Sequence, residues 1–338
     1  MDFPHHLLGI DGLSREQLES ILSLAARFKR ARASLRQSSR DTIKWCPGVA
    51  ERSWCPSLAE QTELRSSLAG KLVVTLFFEA STRTRSSFEA AARALGADVI
   101  AFQKEGSSIS KGETLADTVR NLEAVGAHAI VLRHPAAGAP RVAARAVQAS
   151  VINAGDGAHE HPTQALLDAL SLREKLGSLE GKTVAIVGDI AHSRVARSNI
   201  FCLSKLGARV RVAGPRTLLP AGIDKLGCQV FHTLEAALDG ADAVMALRIQ
   251  LERIGDSRLP SAKDYSLRWR IDARAIAGMA PAAAVLHPGP VNRGVEISSE
   301  VLDGPRSLVM DQVDSGVAVR MAVLALALRA RLPAGEGA

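Results

Sequence analysis

The sequence predicts an α/β fold of two doubly wound domains, each a mostly parallel sheet with helices on both faces. From Lys71 onwards, short apolar runs alternate with helical segments, which is typical of parallel sheets covered by helices. The apolar runs give candidate strands at 71–78, 98–103, 128–133, 150–153, 183–188, 208–213, 228–232, 242–247 and 283–286. With 338 residues, 47% of them hydrophobic, the chain can bury two cores. Two sheets of about four or five strands each therefore agree better with the chain length than a single sheet does.

Three helical segments are expected around these sheets. Ser14 and Gln17 have the spacing of a capping box ahead of an amphipathic helix. The segment 161–176 is expected where the chain passes from the first sheet to the second. The last segment, 313–332, is long and apolar on more than one face. We expect this last helix to be buried between the domains.

Residues 41–66 show neither a helix period nor a strand period. They contain two Trp-Cys-Pro triplets, Trp45-Cys46-Pro47 and Trp54-Cys55-Pro56. Two interpretations stay open. The segment is a surface insertion, since loops accept added length at low cost, or it presents exposed aromatic side chains to a partner protein.

Composition excludes several classes of partner and cofactor. The formal charge is +7, but aromatic residues make up only 4% of the chain, which leaves few side chains to stack on bases. No apolar run reaches the ~20 residues of a membrane span, and the first residues lack the basic region of a targeting segment. We therefore expect a cytoplasmic protein without nucleic-acid or membrane partners.

Metal and nucleotide cofactors are not expected either. The four cysteines, Cys46, Cys55, Cys202 and Cys228, are too scattered for a disulfide framework. Histidines and cysteines lack the spacing of metal ligands. Neither G-x-G-x-x-G nor G-x-x-x-x-G-K-[ST] follows a strand. The sequence thus predicts no cofactor.

The strongest functional signal is the turn after the first strand. The apolar run stops at Glu79-Ala80, and Ser81-Thr82-Arg83-Thr84-Arg85 leads into a helical pattern closed by Gly96. The first N–H groups of a helix have no internal partner, and the helix dipole places positive charge there. Hydroxyls and guanidinium groups at that position predict a phosphate site. The alternative is an ordinary capped helix with surface arginines.

Other polar side chains follow strands or begin helices further along the chain. They are Ser107 and Lys111 in a hydroxyl-rich loop, Arg133, His161, Gln164, Arg194, Arg248, Gln250 and the loop His287-Pro288-Gly289-Pro290. Open α/β sheets bind ligands at the carboxyl ends of their strands. This set holds no nucleophile, metal cluster or carboxylate pair. It suits a reaction that needs only positioning and charge stabilisation.

Five of these segments, in this order, resemble the transcarbamoylase family: Ser81-Thr82-Arg83-Thr84-Arg85, Lys111-Gly112-Glu113-Thr114, Arg133-His134-Pro135, His161-Pro162-Thr163-Gln164 and His287-Pro288-Gly289-Pro290. The likeness runs from residue 71 to about residue 330 and includes the first helix. It implies a carbamoyl-phosphate-binding domain at 1–160 and an aspartate-binding domain at 161–312. It also implies that the C-terminal helix, 313–338, packs back on the first domain.

The resemblance also implies roles for individual residues. It assigns catalysis to Arg83, Thr84, Lys111, Arg133 and His161. It assigns substrate binding to Ser81, Thr82, Ser107, Gln164, Arg194, Arg248, Gln250, Pro288 and Gly289. Thr84, Arg133 and His161 would donate to the carbonyl oxygen of carbamoyl phosphate as it becomes an oxyanion. Gln164 would hold the carbamoyl NH2.

The second substrate is expected to be L-aspartate. Ornithine-specific members of the family carry a cysteine in the late loop, where this chain reads His287-Pro288-Gly289-Pro290. Arg194 and the pair Arg248 and Gln250 suit two carboxylates, because guanidinium–carboxylate pairing is geometrically specific. The expected products are N-carbamoyl-L-aspartate and phosphate, in de novo pyrimidine biosynthesis.

The family forms trimers in which the loop with Ser107 and Lys111 reaches the neighbouring active site. The resemblance therefore implies a homotrimer with shared active sites, and a dihydroorotase or a regulatory chain stays open as a further partner. Two features depart from the family pattern: the extra segment 41–66, and Leu251 where some members carry a lysine. The alternatives are a non-catalytic scaffold subunit and transfer to another amino acid such as ornithine.

Overall fold

The computed structural model describes residues 3–38, 58–103, 112–249 and 261–329. Its α-helices are α1 (Arg15–Ser38), α2 (Leu58–Ser66), α3 (Thr82–Ala94), α4 (Leu115–Ala124), α5 (Ala139–Ala144), α6 (Pro162–Leu176), α7 (Arg194–Lys205), α8 (Leu234–Leu238), α9 (Ala262–Trp269), α10 (Ala273–Ala277), α11 (Ser299–Leu302) and α12 (Val309–Ala327). Its strands are β1 (Leu72–Phe77), β2 (Asp98–Gln103), β3 (Ala129–His134), β4 (Ser150–Asp156), β5 (Thr183–Val187), β6 (Arg209–Ala213), β7 (Gln229–Phe231), β8 (Ala243–Ala246) and β9 (Ala284–Leu286). Every predicted strand is present.

The chain divides into two compact units. Unit 1 comprises Met1–Leu8, Ser20–Ala154 and Asp314–Ala338, and unit 2 comprises Gly9–Glu19 and Gly155–Val313. Three of the four boundaries fall inside α1, β4 and α12, and the other, between Leu8 and Gly9, precedes α1. Most of the C-terminal helix therefore belongs to the first unit, as the fold prediction expected.

Unit 1 contains a four-stranded sheet in the order β2-β1-β3-β4. Strand β1 pairs in parallel with both β2 and β3. The apolar runs are buried almost end to end in β1, β3 and β4, as expected where helices cover both faces of a parallel sheet. On α3, Phe88, Ala91 and Ala92 are buried at helical spacing. The chain changes direction across the sheet between β1 and β3, and such switch points place ligand sites at the carboxyl ends of the strands.

Unit 2 contains a five-stranded sheet in the order β7-β6-β5-β8-β9, with all adjacent strands parallel. Its switch point lies between β5 and β8. The first eleven residues of α6 are all buried, so this helix lies inside the unit rather than at its surface. The α8–α11 side of the sheet has its own core, which includes Tyr265, Trp269 and Ile297.

The structure corrects two element predictions. Residues 58–66 form α2, although the whole segment 41–66 was predicted to be aperiodic. Leucine, alanine, glutamate, glutamine and arginine dominate this stretch, and these are good helix formers. The last helix begins at Val309 rather than at residue 313 because Gln312 N–H donates to Leu308 C=O at 2.8 Å. Within the described ranges, none of the helices combines the length and apolar character needed to cross a bilayer.

Candidate active site

The predicted phosphate turn joins β1 to α3 in unit 1. Ser81 is the N-cap of α3, but its side chain accepts no capping hydrogen bond. At other helix starts the cap side chain does accept one, as at Thr114, Ser193, Thr233, Ser261, Asp272 and Ser298. The Ser81 hydroxyl therefore accepts no hydrogen bond from the backbone N–H groups in the first turn of α3. Together with the helix dipole, this is a suitable arrangement for an anion.

The turn also presents its side chains in two directions. Thr82 and Arg83 are exposed, whereas Thr84 is buried. The Arg85 guanidinium lies 3.6 Å from Glu89 one helical turn later. Arg83 therefore points its charge outwards from the helix start, while Arg85 is paired along the helix.

Arg133 lies at the end of β3, on the strand next to β1. Phe78 N–H donates to Arg133 C=O at 2.9 Å, which continues the β1–β3 pairing. The Arg133 side chain is only 14% exposed, and its Nε lies 3.3 Å from Glu79 Oε2. Its Nη1 donates to Ala154 C=O at 3.4 Å. The structure thus brings Arg133 and the phosphate turn to the same edge of the unit 1 sheet, with Glu79 as a counter-charge.

His161 and Gln164 lie at the start of α6 in unit 2. His161 is the N-cap and Pro162 follows at the first helical position. His161 N–H donates to Ser198 Oγ at 2.9 Å, and Ser198 Oγ donates to Glu160 Oε2 at 2.8 Å. His161, Ser198 and Glu160 are all buried. This buried chain of hydrogen bonds fixes the backbone that carries the imidazole.

Arg194 is the first residue of α7, after the carboxyl end of β5. Its Nη1 donates to Gly157 C=O at 3.2 Å. Its guanidinium lies against Gly155, where an added Cβ would be 3.0 Å from Arg194 Cζ. Gly155 also has φ +118°, a conformation that other residues rarely adopt. The backbone at residue 155 therefore leaves room for the Arg194 side chain.

Arg248 follows β8, the strand on the other side of the unit 2 switch point. Leu247 N–H donates to Val187 C=O at 2.8 Å, so the β5–β8 pairing continues up to the residue before Arg248. Arg194 and Arg248 thus follow the carboxyl ends of two adjacent strands. That edge of an open α/β sheet is where ligands bind.

The loop with Pro288 and Gly289 is held by a buried pair. His287 Nδ1 accepts from Gly289 N–H at 2.7 Å, so Nε2 carries the proton and donates to Glu296 Oε1 at 3.1 Å. Both members of the pair are fully buried. Asn292 Nδ2 donates to Ile249 C=O at 3.0 Å. The loop is therefore tied to the segment that carries Arg248.

Three predicted site residues, Ser107, Lys111 and Gln250, lie outside the described residues, as do both Trp-Cys-Pro triplets and Leu251. Sequence reasoning missed six supporting residues, namely Glu79, Glu160, Asp168, Ser198, Glu296 and Gln312, of which all but the partly exposed Glu79 are buried. Glu79 and Glu160 lie within two residues of the predicted Ser81 and His161, and Asp168 lies four residues after Gln164 on the same helix face. Ser198 and Gln312 come from distant parts of the chain through packing that no short motif reveals.

The described cysteines are not suited to nucleophilic chemistry. Burial raises the pKa of Cys202, and it raises the pKa of Cys228 to about 11. Both thiols are therefore protonated at neutral pH. Within the described ranges, no group of three His, Cys, Asp or Glu side chains could hold a metal ion. The described candidate residues of each unit offer guanidinium groups and hydroxyls in unit 1, and guanidinium groups, an imidazole and an amide in unit 2.

Two family domains match the chain. The carbamoyl-P binding domain of aspartate/ornithine carbamoyltransferase matches residues 5–174. The Asp/Orn binding domain of the same family matches residues 180–327. Together they cover nearly the whole sequence, in the order expected for these enzymes.

A sequence relative and two solved structures agree with this match. The chain is 52% identical to the aspartate carbamoyltransferase catalytic subunit of Anaeromyxobacter sp. (strain K) over 322 residues, covering 95% of each chain. It superposes on aspartate transcarbamoylase from Trypanosoma cruzi, in complex with carbamoyl phosphate and aspartate, with a TM-score of 0.76 and 31% identity over 94% of each chain. It superposes on ornithine carbamoyltransferase from Pyrococcus furiosus with a TM-score of 0.78 and 27% identity, covering 95% of this chain and 96% of that one.

Proposed function

Because this chain belongs to the aspartate/ornithine carbamoyltransferase family, we infer that the residues described above carry out a single carbamoyl transfer. The chain is an enzyme that moves the carbamoyl group of carbamoyl phosphate to the amine of L-aspartate. The products are N-carbamoyl-L-aspartate and phosphate. The observation that carries the choice of aspartate is the pair of arginines, Arg194 and Arg248, after adjacent strands at the unit 2 switch point.

We propose that the carbamoyl-phosphate-binding domain spans 1–160 and that its phosphate is held at the start of α3. Ser81, Thr82 and Arg83 supply hydroxyls, backbone N–H groups and one guanidinium. The absence of a side-chain cap at Ser81 supports this role, since the helix start is arranged for an anion. Ser107 and Lys111 add contacts from their loop.

Charge on the carbonyl oxygen is stabilised by Thr84, Arg133 and His161. The aspartate amine attacks the carbonyl carbon, and its electron pair forms the new C–N bond. The C–O bond to phosphate then breaks, and the departing phosphate takes the amine proton. Donors aimed at the developing oxyanion lower the barrier most, so His161 acts as a hydrogen-bond donor in this scheme.

The aspartate-binding domain spans 161–312, with the helix 313–338 returning to the first domain. Arg194, Arg248 and Gln250 bind the two carboxylates of aspartate, and Pro288 and Gly289 border the same substrate. Gln164 holds the carbamoyl NH2. An ornithine side chain would instead bring an ammonium group towards two guanidinium groups, which costs free energy by like-charge repulsion.

Incubating the purified protein with carbamoyl phosphate and either L-aspartate or L-ornithine tests this function. We expect N-carbamoyl-L-aspartate and no citrulline. Citrulline as the main product would overturn the substrate assignment. Failure to consume carbamoyl phosphate with either amino acid would favour the non-catalytic scaffold.

We further propose a cytoplasmic homotrimer in which the loop with Ser107 and Lys111 completes the active site of the neighbouring chain. Mixing inactive Lys111→Ala with inactive Arg248→Ala protein should then restore activity, because some interfaces in a mixed trimer combine two intact halves. No recovery in hybrid trimers verified by native mass spectrometry would place Lys111 in its own chain's site.

A larger assembly with a dihydroorotase or a regulatory chain is the remaining partner proposal. The name "catalytic subunit" of the Anaeromyxobacter relative supports a further chain. The segment 41–66 is the candidate contact, with its two Trp-Cys-Pro triplets. Deleting residues 41–57, which keeps α2, should leave carbamoyl transfer intact and abolish the larger assembly in light scattering. Loss of activity with unchanged assembly would contradict this role.

A further inference from the structure

Asp168 is a fully buried carboxylate nearly two turns into α6, surrounded by amide groups. Its Oδ1 accepts from Gln164 Nε2 at 2.9 Å and from Gln312 Nε2 at 2.7 Å. Its Oδ2 accepts from Asn199 Nδ2 at 2.8 Å. All four side chains lie in unit 2. A buried acidic side chain is costly unless donors surround it, and here three amides do so.

This arrangement decides which end of the Gln164 amide faces away from Asp168. A side-chain amide has one donor end and one acceptor end, and a carboxylate accepts only. With Nε2 directed at Asp168, the Gln164 carbonyl oxygen is turned to the opposite side. In that orientation Gln164 offers its carbonyl oxygen as an acceptor on the side away from Asp168, while Nε2 keeps one N–H on the Asp168 carboxylate.

The same carboxylate reaches the late loop through Gln312. Gln312 donates its Nε2 to Asp168 and accepts from His287 N–H at 3.0 Å through Oε1. His287 in turn accepts from Gly289 N–H. One buried carboxylate therefore orients both Gln164 and the backbone that leads to Pro288 and Gly289.

We propose that Asp168 is a positioning residue that fixes the amide of Gln164 with its oxygen towards the substrate, and thereby gives the enzyme its preference for a carbamoyl over an acyl phosphate. The inference rests on the proposed role of Gln164 as the group that holds the carbamoyl NH2. The carbamoyl NH2 is a hydrogen-bond donor and needs an acceptor. Because Asp168 binds the Gln164 nitrogen, the Gln164 carbonyl oxygen is the atom that faces the NH2. An acetyl group has a methyl in that place and gains nothing from this orientation.

The test compares carbamoyl phosphate with acetyl phosphate, used both as substrate and as competitive inhibitor, in the full-length enzyme. Asp168→Ala should lower kcat/KM for carbamoyl phosphate by about tenfold to a hundredfold, because a freely turning amide no longer presents its oxygen. For acetyl phosphate, kcat/KM as a substrate and Ki as a competitive inhibitor should each change by less than about threefold. In the Gln164→Ala background, Asp168→Ala should no longer change the ratio of kcat/KM for carbamoyl phosphate to that for acetyl phosphate, because the preference depends on the two residues acting together.

Two further variants separate positioning from stability. Asp242→Ala removes a carboxylate of the same unit that accepts from Thr183 N–H at 2.9 Å and pairs with Lys182 at the opposite end of the sheet. It should lower stability without changing the preference for carbamoyl phosphate. Asp168→Asn keeps one acceptor oxygen for both Gln164 and Gln312, so it should retain the preference even if the alanine variant does not fold.

The outcomes are distinct. An equal loss towards both phosphates in Asp168→Ala would show that Asp168 serves only the fold and would overturn the inference. A lost preference in Asp168→Asn would also overturn it, because the acceptor oxygen argued to orient Gln164 is retained in that variant. Additive effects of the Asp168 and Gln164 substitutions on the preference for carbamoyl phosphate would also overturn the inference. A wild-type enzyme that does not carbamoylate aspartate at all would instead overturn the proposed function.

Discussion

The Arg133 guanidinium lies 3.3 Å from the Glu79 carboxylate at the carboxyl edge of the unit 1 sheet. The residue proposed to donate to the carbonyl oxygen thus has an acidic neighbour in its own unit. Both side chains are largely buried, at 14% and 27% exposure, so solvent screens the pair only in part. Any anion that binds at the turn meets this carboxylate as well as the arginine.

Glu79→Gln should therefore strengthen the binding of inorganic phosphate. Removing one negative charge a few ångströms from the anion should lower the Kd about fivefold, the effect of roughly 1 kcal/mol. Isothermal titration calorimetry at fixed ionic strength measures the change. Glu89→Gln is the matched control, since Glu89 pairs with Arg85 within α3. Weaker phosphate binding in Glu79→Gln would mean that the carboxylate is needed to hold Arg133 in place.

Arg83→Ala should lower kcat by several orders of magnitude and leave the fold unchanged. Arg83 is exposed at the start of α3, so its removal costs little stability, while the proposed phosphate site loses a charge. Arg93→Ala, in the last turn of the same helix, should keep near-normal kinetics. Steady-state assays together with circular dichroism check both variants. Normal turnover in Arg83→Ala would show that Arg83 does not belong to the phosphate site.

The fold could be predicted from the sequence because its signals are local. Strand β5 is a short apolar run buried on both faces, and α3 repeats its buried residues at helical spacing. Boundaries were less predictable. Strand β4 continues to Asp156, beyond the predicted residue 153, because Asp156 N–H pairs with Glu160 C=O across a tight loop. That pairing depends on the loop conformation and not on hydrophobic pattern.

The side chains proposed to contact substrate could also be found from the sequence, since they follow strands or begin helices. Their supports could not. Ser198 lies 37 residues after His161, yet its hydroxyl accepts from His161 N–H. Gln312 lies 144 residues after Asp168 and donates to its carboxylate. Such pairs are brought together by the packing of whole helices and strands, so the residue pattern within one segment cannot predict them.

Ser198→Ala should destabilise the protein and impair catalysis together. The substitution removes the acceptor of His161 N–H and a donor to Glu160, and leaves buried groups unsatisfied. We expect the free energy of unfolding to fall by about 1–3 kcal/mol and kcat to fall as His161 loses its fixed position. Ser204→Ala on the same helix is the control, because the Ser204 hydroxyl is buried without a hydrogen-bond partner among the residues that the structure describes. Urea denaturation of both variants should show a loss only for Ser198→Ala.

Gly155→Ala should weaken aspartate binding by displacing Arg194. At this position φ is +118° and an added Cβ would be 3.0 Å from both Cζ and Nε of Arg194, so the guanidinium has to move. Gly177→Ala imposes a comparable backbone strain at φ +76°, but its added Cβ would meet no atom of another described residue within 4 Å, chain neighbours aside. Both variants should lose about 1–3 kcal/mol of stability. Only Gly155→Ala should raise KM for L-aspartate, by about tenfold or more, at saturating carbamoyl phosphate. An equal rise in KM for L-aspartate in both variants would show that backbone strain causes the effect. No rise in either variant would place Arg194 outside the aspartate site.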